Sequence, residues 1–115
     1  MSSSYANLLR GVLDLLILKS LSWDARHGFA IAEWIESATC ETIMVEEGTL
    51  YPALHRLESK GMLTSVWGLS ENNRNAKFYK LTAKGRKRLA SDSAEWDRHS
   101  EAVSRALQLT DTNPT

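Results

Sequence analysis

The chain has 115 residues, of which 43% are hydrophobic and 24% are charged, and its formal net charge at pH 7 is zero. That length suits one small domain with a single hydrophobic core. A single cysteine, Cys40, excludes an intramolecular disulfide framework, and neither it nor the three histidines stand at metal-ligand spacing. We therefore expect no metal and no other cofactor.

The first predicted element is a largely buried helix from Leu8 to Leu21, because apolar residues occur on almost every side of it. Its apolar run is about half the roughly 20 residues that a membrane span needs. The segment also lacks the small-residue cleavage pattern of a signal peptide. We therefore expect a cytoplasmic protein that does not contact a membrane.

The second predicted element is an amphipathic helix that follows a breaker-like segment from Ser22 to Gly28. Its apolar residues recur at positions i, i+3, i+4 and i+7: Ile31, Trp34, Ile35 and Ala38. His27 stands just before this helix. We expect it to support the start of the helix rather than to act in catalysis.

The third predicted helix spans residues 47 to 60. Its buried face consists of three leucines at i, i+4 and i+7: Leu50, Leu54 and Leu57. Gly61 stands where a left-handed C-terminal cap is usual. Pro52 allows two starts for this helix. A start close to the proline makes its missing N–H harmless, whereas a start at Glu46 removes one backbone hydrogen bond.

Two strands joined by a polar turn are predicted after Gly61. The period changes there, because the residues from Leu63 to Trp67 show an alternating pattern. The aromatic run from Lys77 to Leu81 also favours a strand, and the residues from Ser70 to Asn75 are typical of a turn. We therefore expect a β-hairpin.

The last predicted element is a helix from the Thr82 cap to about Leu109, followed by a polar tail at residues 110–115. An apolar stripe at heptad spacing, extended by one more turn, runs along it: Leu89, Trp96, Val103 and Leu107. The preceding elements leave little surface to cover this stripe, and monomers rarely expose such a contiguous apolar patch. We therefore expect residues 83–109 to pair two copies of the chain in a homodimer.

This order of elements predicts a mainly α (α+β) fold class: a winged helix-turn-helix over residues 1–82 with a two-stranded hairpin wing and a long C-terminal dimerisation helix. The third helix of that fold enters the major groove of DNA. Helical geometry turns four side chains away from the leucine face and toward the groove: Tyr51, Pro52, His55 and Arg56. Thr49, at the N-terminal end of the helix, is expected to face a phosphate.

The basic residues are concentrated in the middle of the chain. Residues 55–88 contain nine basic and two acidic side chains, a net charge of +7, so the remainder carries −7. This asymmetry is typical of a polyanion-binding surface, because phosphate contacts need local Lys and Arg. An ordinary solvated face is the alternative interpretation. On the first interpretation we expect Lys60, Arg74 and Lys77 to contact DNA.

Four blocks of the sequence occur in a familiar order: LRGVLDLLILKSL at 9–21, HGFAIAEWIE at 27–36, EGTLYPALHRLESKGML at 47–63 and FYKLTAKGRKRL at 78–89. With these blocks the chain resembles the PadR family of bacterial transcriptional regulators, for which the GTLYPALHRLE block is specific. The resemblance implies a winged-helix DNA-binding domain and a C-terminal helix that pairs two subunits. It also implies that the protein acts as a repressor, as is usual in the family, and that small molecules release it from DNA.

Carried over by position, the family's third-helix contacts with DNA fall on Thr49, Tyr51, Pro52 and His55. Further contacts fall on the basic loop before FYKLT. That loop reads NNRNAK at 72–77, whereas the family has a denser run of Arg and Lys, so we expect weaker wing contacts. In some relatives a tryptophan on the C-terminal helix stacks flat aromatic ligands between subunits. Trp96 would take that role here, or would simply form part of the dimer core.

No catalytic residues are predicted, because the chain has no HExxH, phosphate-loop or Ser/His/Asp pattern. The sequence therefore predicts a non-enzymatic regulator that binds double-stranded DNA. The more specific hypothesis is a homodimeric repressor that binds a palindromic operator and is released by a small aromatic effector. The alternative is a winged-helix protein–protein interaction module without DNA binding, which a lack of DNA affinity at low salt would indicate.

Overall fold

Four helices and a small antiparallel sheet make up the part of the chain that the structure describes. The computed structural model describes the backbone of residues 2–110 and the side chains of residues 10–110. The elements are α1 (Ser2–Ser20), β1 (Arg26–His27), α2 (Gly28–Ala38), α3 (Glu47–Ser59), β2 (Leu63–Leu69), β3 (Asn75–Leu81) and α4 (Ala83–Leu107). This arrangement confirms the predicted winged helix-turn-helix with a long C-terminal helix.

Helix α1 is longer and less buried than the sequence predicted. It begins at Ser2 instead of Leu8, and the side chains of Leu8 and Leu9 lie outside the described part. Ile17 and Leu18 are fully buried, whereas Val12 and Leu15 remain partly exposed. Within the part of α1 whose side chains are described, full burial therefore occurs only toward the C-terminal end.

The sheet has a third strand that the sequence did not indicate. β1 pairs antiparallel with β3, with Arg26 opposite Tyr79 and His27 opposite Phe78. The strand order is β1-β3-β2, so β3 is central. A two-residue strand is too short to show an alternating pattern, which explains why Ser22 to Gly28 looked only like a breaker.

The core lies between the first three helices and the inner face of the sheet. α2 contributes Ile31 and Ile35, while Trp34 is only partly buried. The other fully or largely buried apolar residues are Ile17, Leu18, Leu21, Leu50, Ala53, Leu54, Leu57, Met62, Leu63, Tyr79 and Leu81. The three leucines that the sequence assigned to the buried face of α3 all belong to this cluster.

Helix α3 begins at Glu47, with Glu46 as its N-cap, so the earlier of the two possible starts is observed. Pro52 therefore lies inside the helix, where its missing N–H removes one backbone bond. At the other end Gly61 adopts a left-handed φ of 80°, and the Met62 N–H donates to the Leu57 carbonyl at 2.9 Å. The glycine cap forms as predicted, since a residue with a Cβ disfavours this conformation.

Strands β2 and β3 form the predicted hairpin, which we call the wing. Their register runs from Leu63 opposite Leu81 to Leu69 opposite Asn75. The turn is closed by a hydrogen bond from Ser70 N–H to the Arg74 carbonyl at 2.9 Å. Asn73 takes a left-handed φ of 58° in this turn, a conformation that asparagine tolerates better than most residues.

Helix α4 starts at the predicted cap, because Thr82 Oγ1 accepts a hydrogen bond from Gly85 N–H at 3.0 Å. The same hydroxyl donates to the Gly61 carbonyl at 2.6 Å, which fastens the start of α4 to the end of α3. The helix ends at Leu107, two residues before the predicted end. Of the predicted polar tail, only Thr110 lies within the described residues.

Candidate nucleic-acid interface

The outer face of α3 carries four of the eight side chains that the sequence assigned to DNA contact. Thr49, Pro52 and His55 are exposed, and 37% of the surface of Tyr51 is accessible to solvent. They lie on the side of the helix that the buried leucines leave free, because α3 keeps a helical period throughout. The geometry therefore presents one polar and aromatic surface to solvent, while DNA contact itself stays a prediction.

Tyr51 is held in place by the start of α2. A Cβ built at Gly28 would lie 2.6 Å from Tyr51 Oη and 2.8 Å from Tyr51 Cζ, closer than real atoms approach. The phenol ring therefore packs directly against the backbone of Gly28. Sequence reasoning missed this role of Gly28, because the two residues are brought together only by the packing of α2 against α3.

Arg56 does not face outward as the sequence predicted. Its Nη2 donates to Asp14 Oδ1 on α1, and its side chain is only 26% exposed. Burial raises the pKa of the Asp14 carboxyl above its ordinary value of 3.8, and the Arg56 guanidinium opposes that rise. Asp14 thus draws Arg56 toward the interior, since a half-buried carboxylate needs a cationic partner.

Three further basic residues were assigned to DNA contact, and the structure separates them. Arg74 is exposed in the turn of the wing and forms no ion pair with another described residue. Lys77 is half-buried, with its Nζ 3.8 Å from Glu58 Oε1 on α3. Lys60 is exposed at the C-cap of α3, at the opposite end of the helix from Thr49. Only Arg74 and Lys77 therefore lie near the exposed face of α3.

A cleft separates α3 from the wing, and we call it the α3–wing cleft. Tyr51, His55, Trp67, Arg74 and Lys77 are among its lining residues. Two carboxylates, Glu33 and Glu71, also line it, so its charge is mixed. The cleft brings the exposed side of the third helix and the basic residues of the hairpin onto one concave surface.

His27 connects α2 with the wing. Its Nδ1 accepts a hydrogen bond from Ala30 N–H at 3.2 Å, which makes it the N-cap of α2 and confirms its predicted support of that helix. Its Nε2 lies 3.6 Å from Glu71 Oε1 in the wing turn. Its ring also meets the Phe78 ring edge-on, with centroids 5.3 Å apart. These contacts orient the wing relative to the helices.

The residues assigned to dimerisation do not form one uniform stripe. Leu89 packs partly buried against the core of its own chain, so only part of its side chain remains for pairing with a second copy, and its place in a dimer interface stays a prediction. Trp96, Val103 and Leu107 are exposed by 46%, 58% and 81%. Leu89 lies near the start of α4, which packs against β3, whereas Val103 and Leu107 lie on the last turns of the helix.

Trp96 also lines a shallow pocket between α4 and α1. The other lining residues are Gly11, Val12, Leu15, Asp92, Glu95 and His99.

Within the described residues, no helix is long and apolar enough to cross a membrane. The same residues contain no cluster of three or more side chains able to hold a metal ion.

Comparison with known proteins identifies the family. The model of the PadR-like transcriptional regulator family matches residues 17–91. A PadR family transcriptional regulator from Eggerthella lenta is 33% identical, with 97% of this chain and 93% of that chain aligned and a TM-score of 0.72. For a transcriptional regulator from Clostridium thermocellum the identity is 29%, the aligned shares are 86% and 96%, and the TM-score is 0.76. An uncharacterized protein of Lysinibacillus sphaericus is 29% identical over 98 residues, 85% of this chain and 90% of its own. The chain therefore belongs to the PadR-like family of transcriptional regulators, as its sequence blocks predicted, and it is not an enzyme.

Proposed function

We propose that this protein is a cytoplasmic transcriptional regulator that binds double-stranded DNA through α3 and the wing. The observation that carries the proposal is the α3–wing cleft, where the exposed face of the third helix meets the basic residues of the hairpin. An α-helix fits the major groove of B-DNA, and a neighbouring basic hairpin can then reach the phosphates beside it.

Each part of this surface has a separate task in the proposal. Tyr51 and His55 read base edges in the major groove, because both project from the middle of the exposed face of α3. Thr49 lies near the helix N-terminus, where free N–H groups favour a phosphate. Arg74 and Lys77 add phosphate contacts from the wing. Arg56 is left out, because its guanidinium pairs with Asp14.

The proposed active form is a homodimer that pairs through α4. Residues 1–82 would form the DNA-binding domain and residues 83–109 the dimerisation helix. Trp96, Val103 and Leu107 support this proposal, because they expose three large apolar side chains on one helix. Burying each of them is worth roughly 1.5–3 kcal/mol. Two copies would place two α3 helices about 34 Å apart and would favour a palindromic operator.

A small aromatic effector is proposed for the pocket that Trp96 shares with α1. Val12 and Leu15 supply apolar walls, while Asp92 and His99 supply polar groups at its rim. An aromatic ligand could stack on the indole of Trp96. In this proposal the ligand binds more tightly to a dimer whose two α3 helices are wrongly spaced for the operator, and it thereby releases repression.

Selection of bound duplexes from a random pool by the purified protein tests the proposed DNA binding. We expect a palindromic sequence to be recovered, and binding to weaken steeply as salt rises, because phosphate contacts release counterions. The matched variants are Tyr51→Ala and His55→Ala, each expected to weaken operator binding by about 1–3 kcal/mol. If the protein bound no DNA even at low salt, the protein–protein interaction module would replace this proposal.

Light scattering tests the proposed dimer. We expect the unaltered chain to be dimeric at micromolar concentration, and the pair of substitutions Trp96→Asp and Val103→Asp to produce a folded monomer with much weaker operator binding. The exposed Met44 lies in the loop between α2 and α3, so Met44→Asp is the matched control and should leave the dimer intact. A monomeric wild-type chain would refute the dimer, but not the pocket that Trp96 shares with α1, because that pocket lies within one chain.

A further inference from the structure

Trp67 lies on the face of the wing that is turned toward α3. On the same strand, Leu63 is buried and Ser65 Oγ donates to Glu58 Oε2 on α3 at 2.6 Å. The cross-strand partner of Trp67 is Lys77, whose Nζ lies 3.8 Å from the same Glu58 carboxylate. Alternate residues of a strand share a face, and so do directly opposed residues. Trp67 therefore continues the α3-facing row of β2.

The rest of the fold covers the start of this row at Leu63 but leaves the indole of Trp67 exposed. Trp67 is 71% exposed, and it lines the α3–wing cleft together with Tyr51 and His55. Among the described residues no other aromatic ring packs against it. A large exposed apolar side chain at a concave surface is typical of a binding site.

The turn of the wing carries few cations, so an uncharged contact would add to its hold on DNA. The turn contains Arg74 as the single basic residue, flanked by Asn72, Asn73 and Asn75, and Glu71 adds a negative charge. Coulombic attraction between this turn and phosphates is therefore weak. Apolar contact does not depend on charge, and it can hold the wing on a duplex that α3 has already engaged.

We propose that Trp67 packs against deoxyribose rings of the DNA strand beside the groove that α3 occupies. Deoxyribose rings present C–H groups between successive phosphates, and an indole can bury its apolar surface against them. Such a contact is independent of base sequence and involves no phosphate charge. This inference rests on the proposed DNA-binding function and adds a residue to the same site.

The test compares Trp67→Ala with Val66→Ala on the same strand. Val66 is 67% exposed but lies on the opposite face, so it is the matched control. The probes are the duplex recovered by selection and a mixed-sequence duplex of the same length, each titrated over a range of salt. We expect Trp67→Ala to weaken binding to both on the order of tenfold, because an aromatic ring loses its buried area. We expect Val66→Ala to bind like the wild type.

The salt dependence separates this contact from an ionic one. Trp67→Ala should leave the slope of log affinity against log salt unchanged, because no counterion release is lost. Trp67→Phe should restore much of the affinity, and none of these variants should change the melting temperature appreciably, since the side chains are exposed. The inference is refuted if Trp67→Ala binds DNA like the wild type or if its salt slope flattens. It is also refuted if the substitution changes only the self-association of the protein, which could occur through the edge strand β2. Lack of DNA binding by the wild type would instead refute the proposed function.

Discussion

The contact between Gly28 and Tyr51 gives the sharpest test of the proposed interface. Gly28→Ala adds a Cβ that would lie 2.6 Å from Tyr51 Oη. Non-bonded atoms settle at about 3.5 Å or more, so the phenol must retreat by about 1 Å. Gly28 has no left-handed φ, so alanine fits its backbone. The substitution therefore moves Tyr51 and leaves the core intact.

A displacement of this size matters more for binding than for folding. A hydrogen bond to a base edge is lost when its distance grows by about 1 Å, so we expect operator affinity to fall by about 1–3 kcal/mol. Tyr51 is partly exposed and its ring can turn, so the free energy of unfolding should change by less than about 1 kcal/mol. Gly48→Ala, whose Cβ would meet nothing within 4 Å, is the matched control for stability.

A double-mutant cycle decides whether the effect passes through Tyr51. Operator affinity is measured for Gly28→Ala, for Tyr51→Ala and for the pair, and unfolding in urea is measured for the same proteins. In the Tyr51→Ala background the added methyl group has nothing to displace, so Gly28→Ala should cause no further loss of affinity. Additive losses, or wild-type affinity for Gly28→Ala alone, would show that the position of Tyr51 does not control binding.

Three further predictions concern stability, pH and salt. Gly85→Ala would place a Cβ 2.2 Å from the Met62 carbonyl oxygen, a backbone atom that cannot turn aside, so unfolding in urea should show a loss of at least about 2 kcal/mol. Arg56→Met leaves the Asp14 carboxylate without its partner, so we expect a loss of about 1–3 kcal/mol at neutral pH. Arg74→Ala should weaken binding to all DNA sequences equally and reduce the log–log salt slope by about one.

The pH dependence of Arg56→Met follows from the sign of the Asp14 shift. The pKa of Asp14 is raised in the folded chain, so the fold binds this proton more readily than the unfolded chain and loses stability as pH rises through the raised value. Removing Arg56 removes a charge that opposes the rise. The stability difference between variant and wild type should therefore shrink as pH falls toward the acid range. A stability difference that is constant with pH would contradict this account. For Arg74→Ala, a log–log salt slope equal to that of the wild type would contradict the phosphate contact.

Much of the fold was predictable because its signals are local. The leucines of α3, the Gly61 cap and the Thr82 cap each depend on neighbours within a few residues, and the structure contains all three. The hairpin was predictable for the same reason, since alternation and turn residues occur within one short stretch. The short strand β1 was not, because it exists only through its pairing with β3.

The same distinction between local signals and contacts between distant elements applies to the candidate site. Helical phase predicted the exposed positions of Tyr51 and His55, but it also predicted an outward Arg56. Arg56 turns to Asp14, which stands 42 positions earlier in the chain, and helical phase contains no information on that partner. Leu89 shows the same limit, because heptad spacing cannot distinguish a residue covered by its own chain from one left for a second copy.

The sequence by itself determined the family, the order of the four helices and the hairpin, and the face of α3 that packs against the core. Only the tertiary structure decided that Gly28 holds Tyr51, that Asp14 pairs with Arg56, and that Trp67 is exposed on the α3-facing row of β2. The physical reason is the range of the interactions. Periodicity and capping act between near neighbours, whereas these contacts join residues that meet only when one element packs on another.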